Sequence, residues 1–168
     1  KMNKLTEHDG YEDNPVLIHT DSLIYAPSSI IQYYDLQNPS NKSLFPNGEE
    51  RQTVIDLYNW FVKDLNRNIW GYIYSELFTS KKKTKKFLKK GIPFLERLRV
   101  GFTYRHIKKE LIKQWDMTGK DSIVFLVEIQ KIFTAVSQRL AENNTKYLCG
   151  NTISAADIAF AAIAAPMI

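Results

Sequence analysis

Cysteine is nearly absent from this chain: Cys149 is the only one in 168 residues. An intramolecular disulfide is excluded, and one lone thiol fits a reducing compartment. Histidine is scarce too. His8, His19 and His106 lie far apart, and with a single cysteine they give no metal-ligand spacing. Long apolar runs are missing. The longest, Ile158 to Ile168, is too short to cross a bilayer, and the polar start lacks the apolar core of a signal peptide. Phosphate-binding glycine loops, dinucleotide fingerprints and nucleophile elbows do not occur. These absences predict a soluble, cytoplasmic protein without a metal. A chain of 19.5 kDa that is 44% apolar can bury about 70% of its unfolded surface as one domain or two small lobes.

Charge is present but concentrated. Seven lysines fall between Lys81 and Lys90, and removing them from a net charge of +5 leaves −2. Such a run ordinarily forms a solvated helix end or loop. Arginine is absent from it and Phe87 is its only aromatic, so base readout and base stacking lack support.

The pattern along the chain predicts two short strands, then helices. Residues 1–14 are polar. Pro15-Val16-Leu17-Ile18-His19 and Leu23-Ile24-Tyr25 flank a turn at Asp21-Ser22, which predicts a hairpin belonging to a larger sheet. Pro27 opens a short helix to about Asp35, and residues 38–43 have linker composition. Asn47-Gly48-Glu49-Glu50 has the form of a capping box. The stripe from Val54 through Phe61 and Leu65 to Ile73 then predicts a long helix to about Thr79. Further helices are predicted over 94–115 and 121–143. The last begins at Ile153-Ser154-Ala155-Ala156-Asp157-Ile158, where Ser154 and Asp157 are spaced to cap each other's amides and Ile153 and Ile158 to staple the turn. Its apolar continuation predicts a helix at the centre of the core.

This order, and the segment Tyr147-Leu148-Cys149-Gly150-Asn151-Thr152-Ile153-Ser154-Ala155-Ala156-Asp157 above all, resembles the glutathione transferase superfamily. Pro15-Val16-Leu17 is similar to that family's proline-led third strand, Ile30 to Asp35 to the helix after its fourth strand, and Leu44-Phe45-Pro46 to the end of its linker. The resemblance implies an α+β, two-lobe fold: residues 1–36 as a partial thioredoxin-like, glutathione-binding lobe, 37–48 as linker, and 49–168 as an all-helical bundle.

It implies glutathione as substrate, a small electrophile as partner and a homodimer. Asn14 would pair its backbone with glutathione next to a cis-Pro15. The γ-glutamyl carboxylate would sit at the following helix start. Counting strictly from Pro15 places Ala26-Pro27 there, and one inserted residue places Pro27-Ser28 there. Either way the family's acidic or amide partner for the γ-glutamyl amine is missing. The family's thiol-activating residue lies in a strand-helix-strand portion with no counterpart before Pro15, so no catalytic residue carries over, and the chain reads as an incomplete version of a longer protein. Trp70 and Tyr74 are candidates for an aromatic electrophile cleft, with plain packing the competing role. Ser154 and Asp157 are structural caps. Two functions compete: glutathione conjugation in the complete protein, and a non-catalytic protein-interaction module, with nucleic-acid binding ranked last.

Overall fold

The computed structural model describes residues 15–19, 22–37 and 43–168; Asn14, Tyr11 and the linker stretch 38–42 lie outside the described residues. Strands β1 (Val16–His19) and β2 (Ser22–Tyr25) pair antiparallel, Val16 opposite Tyr25 and Ile18 opposite Leu23. Among the described residues the sheet has these two strands. Helix α1 (Pro27–Gln37) packs on them, and the Tyr33 hydroxyl lies 2.7 Å from His19 Nδ1.

The long stripe folds as predicted, with one local widening. Helix α2 (Glu49–Trp60) runs into a π segment (Phe61–Leu65) and on into α3 (Asn66–Phe78). At the seam the Asn66 amide donates to the Phe61 carbonyl, five residues back, and the Asn68 side chain donates to Asp64 O at 2.8 Å. The capping-box expectation at Asn47 fails. Gly48 takes the cap at φ 85°, a backbone that glycine accepts freely, so Asn47 is left one residue outside the helix. Glu49 and Glu50 still place negative charge in the positive first turn.

Four more helices and a short turn complete the bundle: α4 (Lys81–Leu88), α5 (Phe94–Gln114), α6 (Ser122–Asn143) and α7 (Ala155–Ala164), which ends in a 3₁₀ turn (Ala165–Met167). The core joins Val54, Phe61, Leu65 and Ile69 to Ile129, Ile132 and Val136 of α6 and to the alanines of α7. Helix α7 departs from its predicted place at the centre. Ala155, Ala156, Ala159 and Ala164 are buried, while Ile158, Ala161 and Ala162 stay exposed. The small side chains allow close approach on one face only, and Ile153 and Ile158, the predicted staple, both remain largely solvent-facing.

The chain before α2 is held by Asp35, at the end of α1. Its carboxylate accepts from the Ser43 hydroxyl at 2.5 Å, the Leu44 amide at 2.8 Å and the Phe45 amide at 3.2 Å. Leu44 O then accepts from the Ala155 amide at 2.9 Å, and Phe45 is fully buried. Burial pushes the Asp35 carboxyl up, but those three bonds and the Arg51 charge outweigh it and hold it below the ordinary carboxylate value. A carboxyl depressed in the folded state stabilises above its unfolded value, and that contribution is lost as pH falls through the folded value. The stability gap between wild type and Asp35→Asn is therefore expected to be full near neutrality and to shrink below about pH 4. Urea unfolding across that range checks it; a gap constant with pH would exclude the charge as its source.

Candidate functional site

Register places the strand start beside the helix start. Because Val16 faces Tyr25, Pro15 comes opposite Ala26, immediately before α1. Ala26 is left-handed at φ 66°, which costs a Cβ-bearing residue about 1–2 kcal/mol. Backbone strain of this kind gathers at binding and catalytic corners. Pro27 begins α1 without an amide, and the amides of Ser28 and Ser29 are among those a helix leaves without intrahelical partners. The helix has no acidic residue in its first turn. Its positive end, with the half-buried Ser28 hydroxyl, is suited to a carboxylate or similar anion.

One turn further along α1, Ile31 enters the wall of an apolar cleft of about 360 Å³. Leu44, Tyr58, Val62, Ile158 and Ala162 supply much of the rest. The π segment matters here, since it carries Val62 into the cleft while Phe61 and Leu65 stay in the core. Burial pushes the Tyr58 phenol above its ordinary value, so it presents an O–H at neutral pH. The exposed side of α7 that broke the central-helix expectation is this cleft's far wall. Sequence patterning missed the cleft because its residues come from α1, the linker end, α2, the π segment and α7. The signal available was the apolar character of Ile158 and Ala162, continuing past the buried alanines.

Trp70 and Tyr74 are placed elsewhere. Their rings stack at 5.6 Å, Trp70 stacks on Trp115 at 6.1 Å, and Tyr74 stacks on Phe78 at 5.8 Å. Lys108 caps the ladder with its ammonium 5.1 Å from the Phe78 ring. Burial pushes the Tyr74 phenol up. The ladder ties α3 to the end of α5, and its ring faces are spent on one another.

At the start of α7 the Ser154 amide donates to Asp157 Oδ2 at 2.8 Å, and the Asp157 amide donates back to Ser154 Oγ at 3.4 Å. Asp157 Oδ1 also accepts from the Leu148 amide at 2.8 Å, while Leu148 O accepts from Arg139 Nε at 2.8 Å. The carboxylate thus joins the α7 cap to the preceding loop. Beside it, burial pushes the Cys149 thiol up against the pull of Arg139, which disfavours the thiolate. Among the described residues, no group of three or more His, Cys, Asp or Glu is placed to hold a metal, and no helix is long and apolar enough to cross a membrane.

Residues 105–166 match the family model described as glutathione S-transferase, C-terminal domain. This stretch is a glutathione S-transferase C-terminal domain. It takes in the second half of α5, all of α6, the Asp157 hub and α7. The architecture around it, a hairpin and helix followed by a helical bundle, is consistent with a partial thioredoxin-like lobe ahead of such a helical domain. No curated protein and no solved structure matches the chain significantly.

Proposed function

We propose that this glutathione S-transferase-like chain takes part in glutathione conjugation, with 1–36 as part of the glutathione-binding lobe, 37–48 as linker and 49–168 as the helical lobe. One observation carries the reading beyond the family: a positive helix start at Ser28, with no acidic residue in its first turn, stands one turn from Ile31 in the wall of an apolar cleft. A peptide carboxylate suits the first and a small apolar electrophile suits the second. Asn14 and Pro15 would offer backbone to glutathione, and Pro27 and Ser28 would hold its γ-glutamyl end. Ile158 and Ala162, rather than Trp70 and Tyr74, face the electrophile. The complete protein on this reading is a cytoplasmic homodimer that detoxifies electrophiles.

Ala26 and Pro27 favour a second reading. Neither side chain can hold the γ-glutamyl amine, so the corner also fits a transferase-like interaction module that has given up glutathione. Calorimetry of the full 168-residue chain with glutathione separates the two. Binding is expected, and Ser28→Ala should weaken it about tenfold by removing one hydrogen bond to a charged group. Absence of heat with wild type would leave the interaction module.

A further inference from the structure

The lysine run is not a loop but helix α4, and its construction is costly. The Thr84 hydroxyl, fully buried, donates to Leu77 O at 2.6 Å and lies 2.9 Å from Ser80 O, pinning the helix to the end of α3. Lys81, Lys82, Lys83 and Lys86 point to solvent around that anchor. Three of them lie in the first turn, where the helix dipole disfavours cations, and Lys81/Lys85 and Lys82/Lys86 repel at one-turn spacing. None of the ion pairs among the described residues involves Lys81–Lys90. The Ser80 cap, which accepts from the Lys83 amide, and Lys85 and Lys86 in the last turn favour this helix, but the crowding of like charge opposes it, a local conflict of the kind found at functional segments.

Beside it stands an equally unusual apolar stripe. Lys85 Nζ lies 5.6 Å from the Tyr104 ring, so α4 packs on α5. A surface groove of about 910 Å³ between them is lined by lysines, Phe87 and Arg97. On α5, Phe94, Leu98 and Phe102 follow at four-residue spacing and are 74%, 60% and 91% exposed. At about 100° per residue, exposed Arg105 and Lys109 fall on that same face, while Glu96 and Glu110 fall on the opposite half.

We propose that α4 and the exposed face of α5 form a docking surface for anionic lipid membranes. Bare phenylalanines flanked by unpaired cations are the composition of a helix that lies in a bilayer interface, rings among the acyl chains and lysines among the phosphates. A second copy fits poorly, because a two-fold contact would set one lysine cluster against the other. A nucleic acid would use the charge without needing Leu98. This surface is separate from the Ser28 corner and does not depend on the glutathione reading.

Sedimentation of the full chain with vesicles tests the proposal. Binding to phosphatidylcholine containing phosphatidylserine is expected to exceed binding to phosphatidylcholine alone by about tenfold or more, and to fall with salt. Each exposed lysine near the surface is worth about fivefold, so Lys82→Gln with Lys86→Gln should lower binding about twentyfold. Phe102→Ser, at a position with almost no packing to lose, should weaken vesicle binding but leave heparin binding unchanged. Equal partitioning into neutral and anionic vesicles would overturn the proposal. So would full vesicle binding by Phe102→Ser, which would leave a polyanion site of the nucleic-acid kind. A dimer in ultracentrifugation that Phe102→Ser dissolves, without any vesicle binding, would assign the face to a second copy.

Discussion

Replacing Asp157 with alanine is expected to lower the unfolding free energy by about 3–5 kcal/mol, and the melting temperature by roughly 6–20 °C. One carboxylate accepts both the Ser154 and the Leu148 amides, and each of those residues is 2% exposed. Removing it strands two buried donors, at about 1–3 kcal/mol each, and ends the reciprocal cap as well. Asp157→Asn keeps one acceptor oxygen and should cost about half as much. Ser154→Ala removes the bond from the Asp157 amide and the 2.6 Å bond that the Ser154 hydroxyl donates to Asp157 Oδ2, but leaves both buried amides paired, and should cost about 1–2 kcal/mol. Urea unfolding of the three variants checks the order. A loss under about 1 kcal/mol for Asp157→Ala would mean that water or relaxation replaces both bonds.

This hub was half legible in the sequence, and the half that was missed is instructive. Ser154 and Asp157 sit at cap spacing, so their mutual bonds follow from local geometry. The bond to Leu148 does not, because it depends on how the loop after α6 folds back. The same division runs through the molecule. Periodicity located α2, α3, α5 and α6, yet on α6 a helical stripe through Ile123, Leu126, Ile129 and Phe133 takes in Ile123, which is 55% exposed, and passes over Phe125, which is buried. Period alone cannot see that Phe125 has a glycine waiting on the facing helix. Trp70 and Tyr74 were visible as a one-turn pair, but Trp115, which joins them from the end of α5, was not. At Asn47 a local motif was outvoted by its neighbour, since Gly48 takes the cap itself. At Ala26 the residue type gave no hint of its left-handed backbone. The candidate site lies among such non-local features: it is assembled by register, by a π turn and by the open side of α7.

Gly71→Ala is expected to destabilise by about 1–2 kcal/mol, against the direction that helix propensity alone dictates. In an unconstrained helix interior, alanine for glycine gains about 1 kcal/mol. Here α3 meets α6 across Gly71, where an added Cβ would stand 2.6 Å from Phe125 Cε1 and 2.7 Å from Cδ1. That ring is itself 2% exposed, with the Lys120 ammonium 5.9 Å from its centre, so it cannot swing away without disturbing a packed layer. Overpacking of this kind costs about 1–3 kcal/mol, and an approach of 2.6 Å belongs to the upper part of that range, so about 1–2 kcal/mol remains after the propensity gain. A smaller partner should reverse the sign. In a Phe125→Leu background, Gly71→Ala is expected to be neutral or stabilising, giving a coupling of about 1–3 kcal/mol in the double-mutant cycle. Should Gly71→Ala raise stability in the wild-type background, α3 and α6 would have room to part. The core that holds the π segment, and through it Val62 at the cleft, would then be looser than this close approach implies.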